Sequence, residues 1–330
     1  MVAGFHLDDL NSCVTRIQAS ALSDSTKRNY HSVWNTYLKF CQFYSITPFP
    51  ASSSTIAAFI TLLGFSVKSH HTVNNYLSAL RRLHVFCHFD TSAFDDIHVK
   101  LTQKGLEKSM VHLPHRKAPL TPAILLQFYR HLNVCDSAHL AVWCALLVGF
   151  FSFFRTANLV PPSFDKFSSH HTLSRGSITF ANLGALVTVT RTKTRQARDT
   201  ALMVPVPSIP GSPLCPTAAL RLLLDSVAAP ARFPLFTYTT ASHQHDCITA
   251  SSLNNSIKHL ASMVSLNPQD FSGHSLRRGG ATFAFQCGIP SELIKVQGDW
   301  RSDAYMLYLT LPLADRLVLS HVVSQHIQLL

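Results

Sequence analysis

Acidic residues are scarce in this chain: 17 Asp and Glu face 28 Lys and Arg, a formal charge of +11. Charge of either sign is sparse too, at 14% of residues against 47% hydrophobic, which excludes a disordered chain and implies a substantial core. None of the eight cysteines forms a CxxC pair, and the first 22 residues lack a signal-peptide core because Asp8 and Asp9 interrupt it. The thiols are therefore expected to be free and buried, in a reducing compartment and without a disulfide framework. Neither a solenoid-length repeat nor a low-complexity tract is present. Long apolar runs are also missing, with the exception of residues 137–154, SAHLAVWCALLVGFFSFF, which carry no Lys, Arg, Asp or Glu. That run falls at the short edge of membrane-span length and has no second copy, so a buried core helix is expected instead.

What remains is a basic globular chain of two-domain length. Lys and Arg outnumber acids 10 to 7 in residues 1–112 and 18 to 10 in residues 113–330, so the excess is concentrated in the second part. A polyanion is the usual partner of such a charge balance, and nucleic acid the commonest one, although basic proteins without it exist.

The first 110 residues read as helices joined by turn-rich links. SDSTKRNYHSVWNTYLKFCQFY opens on capping residues and places Tyr30, Val33, Trp34, Tyr37, Leu38 and Cys41 at helical spacing, ending before Pro48 and Pro50. SSSTIAAFITLLGF and TVNNYLSALRRLHVFCHF follow as two further helices, with Arg81 and Arg82 off the apolar stripe of the last. VHLPHRKAPLTP, with three prolines around Arg116 and Lys117, reads as an extended link between domains, residues 113–119. Its two cations suit a strap across a phosphate backbone, or are simply solvated. Beyond residue 120 two helices precede the one stretch rich in β-branched residues, where ITF, ALVTVTRT and ALMVPVP read as three short antiparallel strands turned at Asn182–Gly184 and Thr194–Asp199. The remainder reads as helical.

Chemistry gathers in the second part. In GHSLRRGGA the three-residue spacing puts His274 and Arg277 on one helix face, near an N-terminus suited to an anion, though an isolated pair of this kind commonly just caps and decorates a surface helix. Arg155 ends the apolar run in GFFSFFRTANLV, where it needs an anionic partner. Asp136 is about five turns back and Asp165 lies beyond two prolines, so a bound phosphate, a distant carboxylate or snorkelling to solvent would each serve. Lys193 sits in the hairpin segment TRTKTRQ with Arg191, Arg195 and Arg198, able to donate a proton to a leaving alkoxide, to contact phosphate, or to rest in water. Trp300 in GDW offers one N–H and a flat packing surface, and Tyr305 and Tyr308 follow on a short helix that Ser302 can cap. A phenol becomes a useful nucleophile only among cations; otherwise tyrosine fills cores.

Taken in order, FFRTANLV, TRTKTRQ, GHSLRRGGA, GDW and AYMLYL resemble the motifs of the tyrosine recombinase (phage integrase) family, across most of residues 20–310. The resemblance implies a mainly α fold: a helical core-binding domain, residues 1–112, and a mixed α+β catalytic domain with a small antiparallel sheet, residues 120–330, ending in an exchange helix. It implies a clamp on double-stranded DNA, assembled as a homotetramer, in which Arg155, Lys193, His274, Arg277 and Trp300 serve a Tyr308 nucleophile, and neither a metal nor a cofactor takes part. Tyr308 is favoured over Tyr305. Arg81, Arg82, Arg116, Lys117, Arg191 and Arg195 are the expected DNA contacts. Asn158 departs from the glutamate that many members carry three residues after the first arginine. The interval from Trp300 to Tyr308 is one residue shorter than the commonest one and resembles recombinases of Crypton and DIRS-like mobile elements, hence a nuclear or cytosolic protein. The alternatives are a domesticated, catalytically silent DNA-binding protein, a type IB topoisomerase activity, and a metal site among the histidine pairs and SHQHDC, whose spacing matches no ligand motif.

Overall fold

The computed structural model describes residues 6–110, 116–192, 201–307, 309 and 327. The chain forms two compact units, Met1–His115 and Arg116–Leu330.

The first unit is helical: α1 (Leu7–Ser20), α2 (Asp24–Phe43), α3 (Ser53–Ser66), α4 (His70–Phe86) and α5 (Ile97–Ser109). Side-chain caps start the helices that the sequence marks, Ser23 accepting from the Thr26 N–H and Ser52 from that of Thr55. Their apolar faces meet in a core of Tyr37, Phe40, Ile56, Phe59, Ile60, Leu63, Val73, Leu77 and Leu80. Arg81, outside that stripe, forms a two-pronged pair with Asp95, Nη1 to Oδ1 at 3.1 Å and Nη2 to Oδ2 at 2.5 Å.

The second unit is built round the apolar run. Asp136 caps α7 (Ser137–Ser152), accepting from the N–H groups of Ala138 and His139 at 2.9 Å, and α7 follows the short α6 (Pro122–Tyr129). Every residue from Leu140 to Phe150 is buried, which is why the run carries no charge: it crosses a protein core. Among the described residues no helix is long and apolar enough to cross a membrane. After α8 (Thr156–Leu159) come β1 (Ile178–Ala181), β2 (Gly184–Val189) and β3 (Leu202–Pro207), an antiparallel sheet in that order. The second strand stops earlier than its pattern suggests, and the turn expected at Thr194–Asp199 lies outside the described residues. Then follow α9 (Pro216–Ser226), a hairpin of β4 (Thr237–Thr239) and β5 (His245–Cys247) that the sequence pattern did not mark, α10 (Ala250–Met263), α11 (Gly273–Gln286) and α12 (Ser291–Gln297). Residues Asp303–Leu307 form a 3-10 turn where a short helix was expected. The free thiols of Cys41, Cys144, Cys215 and Cys247 are buried as expected, whereas Cys87, Cys135 and Cys287 are exposed.

Residues 116–120, expected within or next to a free link, are fastened to the second unit. The Ala118 N–H donates to Asp270 O at 2.7 Å and the Leu120 N–H to Ser275 O at 3.0 Å, while Arg278 Nη1 donates to Lys117 O at 2.8 Å. This close crossing explains the paired glycines of α11: a Cβ on Gly279 would strike the main chain of Leu120, and one on Gly280 the carbonyl of Phe150 in α7. Main-chain atoms cannot rotate aside. Gly279→Ala is therefore expected to cost about 1–3 kcal/mol, whereas Gly105→Ala in α5, with open space round the new methyl, should stabilise its unit by about 0.5–1 kcal/mol. Thermal denaturation reads both, and an unchanged melting temperature for Gly279→Ala would contradict this packing.

Candidate active site

Helix α7 ends because Phe153 takes a left-handed conformation, φ 54° and ψ 27°, that no helix can continue. Such a conformation costs a non-glycine residue roughly 1–3 kcal/mol, so something must hold it. Arg277 does: buried in α11, it donates from Nη1 to the Phe153 carbonyl. The same guanidinium lies over the Trp300 ring, its carbon 3.7 Å from the centroid. A charged hydrogen bond (about 1.5–3 kcal/mol) and a desolvated cation–π contact (about 2) are together large enough to offset the turn.

Two residues after the turn, Arg155 is the N-cap residue of α8, its side chain 25% exposed. The acid facing it is Asp299, Oδ2 to Nη1 at 3.9 Å, so of the three ways open to this arginine the structure has the distant carboxylate together with partial exposure. Asp299 also accepts a hydrogen bond from Thr192 Oγ1 at 2.5 Å. Asn158 is occupied elsewhere: its Nδ2 donates to the carbonyls of His171 (2.8 Å) and Arg191 (3.1 Å), which ties α8 to the segment that follows β2.

His274 is on the first turn of α11 with its ring reaching solvent. The first N–H groups of this helix are already bonded: Gly273 N–H to Asn254 Oδ1, His274 N–H to Ser272 Oγ and Ser275 N–H to Ser272 O. The anion affinity expected of this end therefore rests on side chains rather than on open main-chain donors. A pocket of about 280 Å³ opens there, lined by Arg116, Lys117, His274, Arg278 and Leu307. Four of its five lining residues are basic or imidazole groups, which suits an anion.

Trp300 is buried with Phe153, Ala281, Ile294 and Tyr305, and Leu309 packs against this cluster. Tyr305 is thus a core side chain, 4% exposed. Lys193, Arg195 and Tyr308 lie outside the described residues, as does the expected exchange helix apart from Ile327. Their described chain neighbours border the site: Thr192 bonds Asp299, Leu307 lines the anion pocket and Leu309 meets the Trp300 cluster. Of the remaining basic candidates, Arg82, Arg116 and Arg191 are exposed, Lys117 donates from Nζ to Gln269 O at 2.5 Å, and Arg81 is engaged by Asp95. Sequence reasoning missed Asp299 and Arg278. The pairing of Asp299 with Arg155 has no local signature, because the two are brought together only by the fold. Among the described residues, no group of three or more His, Cys, Asp or Glu side chains is placed to hold a metal ion.

No family model matches the chain. An integrase/recombinase XerD homolog from Selenomonas ruminantium is 24% identical over 288 residues, 85% of this chain and 80% of the relative. The XerH site-specific recombinase bound to a palindromic difH substrate shares the fold with a TM-score of 0.58 at 16% identity, over 88% of this chain and 78% of that one. The Tn1549 transposon integrase in complex with a circular intermediate DNA does so with a TM-score of 0.58 at 14% identity, over 94% and 97% of the two chains.

Partial desolvation, then the charges of Arg277 and Arg155, hold the His274 pKa below the ordinary histidine value. Like charges and loss of water both disfavour the imidazolium, so the ring is neutral at pH 7. Arg155→Ala removes one of the opposing charges, and the His274 pKa is expected to rise towards the ordinary value. Side-chain NMR titration measures this; a downward shift, or none, would mean that the two groups do not share one electrostatic environment.

Proposed function

We propose that this chain, a member of the tyrosine recombinase (phage integrase) family, is a site-specific DNA recombinase that cleaves and rejoins double-stranded DNA through a 3′-phosphotyrosyl intermediate. The observation that carries the reading is the convergence of Arg155, His274, Arg277 and Trp300, from three separated segments, on one basic site. A phosphodiester under attack gathers negative charge on its non-bridging oxygens, and fixed cations stabilise that charge without reorganising.

In the proposed step the Tyr308 phenol oxygen bonds to phosphorus and the bond to the 5′ oxygen breaks. The phenol proton passes to His274, whose neutral ring can accept it. Lys193 supplies a proton to the departing 5′ oxygen, and the reverse sequence religates. Arg155, one quarter exposed, and Arg277, only 2% exposed, are assigned to the non-bridging oxygens of the phosphate. Trp300 keeps the Arg277 guanidinium flat and aimed. Arg82, Arg116, Lys117, Arg191 and Arg195 are assigned to the DNA backbone, and Arg81 joins them if it leaves Asp95. Four protomers assemble on two DNA sites, linked by residues 311–330. A eukaryotic mobile element of the Crypton or DIRS-like kind would place the activity in the nucleus, any other source in the cytosol.

The test is a nicked suicide duplex carrying the element's own termini. A covalent protein–DNA adduct is expected, formed equally well in EDTA because two arginines and a lysine supply the positive charge of the proposed step. Tyr308→Phe is expected to abolish the adduct while retaining DNA binding. Arg155→Ala should slow adduct formation by about 10²-fold or more, with a far smaller loss of affinity since it meets one phosphate among many. An adduct that persists in Tyr308→Phe and vanishes in Tyr305→Phe would overturn the nucleophile assignment, and binding without any adduct would favour the silent DNA-binding protein.

A further inference from the structure

Two adjacent residues each hold one of the two arginines. Trp300 lies under Arg277, and Asp299 faces Arg155. The separation and mutual angle of the guanidinium groups thus depend in part on one dipeptide. We propose that Asp299 is a positioning residue, whose carboxylate fixes the direction of the Arg155 side chain and, through Thr192, couples it to the segment that continues into Lys193. The proposal rests on the recombinase reading given above and adds to it a group that touches neither phosphate nor nucleophile.

Three observations support it. Asp299 is itself fixed: its backbone is left-handed, φ 51°, with the Trp300 N–H bonded to Lys295 O at 3.1 Å behind it. On the other side Gly298 makes room for the Trp300 ring, which a Cβ there would strike. The carboxylate is only 10% exposed, so its attraction for Arg155 at 3.9 Å is less screened than that of a surface pair. Finally, one oxygen, Oδ2, both faces Arg155 and accepts from Thr192. A shift of Thr192 is therefore carried to the arginine by the oxygen that both contacts share. With Asn158 committed to two carbonyls, Asp299 is the side chain that orients Arg155.

Asp299→Asn isolates the charge, because asparagine keeps the volume, tolerates the left-handed backbone and can still accept from Thr192. Adduct formation on the nicked duplex, measured in single turnover at saturating DNA, is expected to slow by about 10- to 100-fold, with DNA affinity and melting temperature near those of the wild type. The second substrate is the same duplex with a methylphosphonate at the scissile position, where one non-bridging oxygen is a methyl group and the guanidinium has less charge to stabilise. There the wild type and Asp299→Asn should differ by no more than about threefold. Thr192→Val, which removes the orienting hydroxyl at constant volume, is expected to slow the phosphodiester reaction in the same sense and to show the same convergence on methylphosphonate. Equal rates for wild type and Asp299→Asn on the phosphodiester would overturn the proposal, as would an undiminished ratio on methylphosphonate, the mark of a merely structural defect. A wild type that forms no adduct at all would instead overturn the recombinase reading, and this inference with it.

Discussion

The left-handed turn at Phe153 is the constraint on which the site depends. It ends a helix that would otherwise run on through the core, frees a carbonyl for Arg277, and delivers Arg155 to the cleft two residues later. Because the helix before the turn is buried on all sides, the turn cannot drift without moving the core. Because the carbonyl is claimed by a buried cation, it cannot relax alone. Core packing in α7 is thereby converted into the position of two guanidinium groups on different helices.

Partly burying the His274 ring and setting it beside Arg277 and Arg155 has an electrostatic cost, visible in its lowered pKa. The fold meets it with unlike partners: a carbonyl and an aromatic face for Arg277, a carboxylate for Arg155, and a neutral ring at His274. Each of these holds its cation loosely enough in charge that an incoming phosphate is still favourable, and firmly enough in geometry that the cation need not reorganise for it.

Much of this was legible in the chain. The apolar period and serine caps marked α2, α3 and α4, and the β-branched runs marked β1, β2 and β3, because those signals are local. The clustering of Arg155 with His274, Arg277 and Trp300 came from the resemblance in motif order, since periodicity could not bring together positions so distant in sequence. What escaped was non-local. The Asp299 carboxylate has no spacing rule that points to Arg155. The anchoring of residues 116–120 depends on glycines of α11 far downstream. The open main-chain donors expected at the start of α11 are already taken, the first of them by Asn254 from another helix. Arg81 looked free in sequence and is paired with Asp95 from the next segment.

Tyr308, rather than the buried Tyr305, is the nucleophile assigned to this basic site. Mass spectrometry of the trapped adduct tests this assignment most directly. After nuclease and trypsin treatment, cleavage at Arg301 and Arg316 releases one peptide, residues 302–316, that contains both Tyr305 and Tyr308. Fragmentation between Met306 and Leu307 separates the two phenols. The account predicts the residual nucleotide on the fragment that carries Tyr308; a nucleotide on the Tyr305 fragment, or on any other peptide, would contradict it.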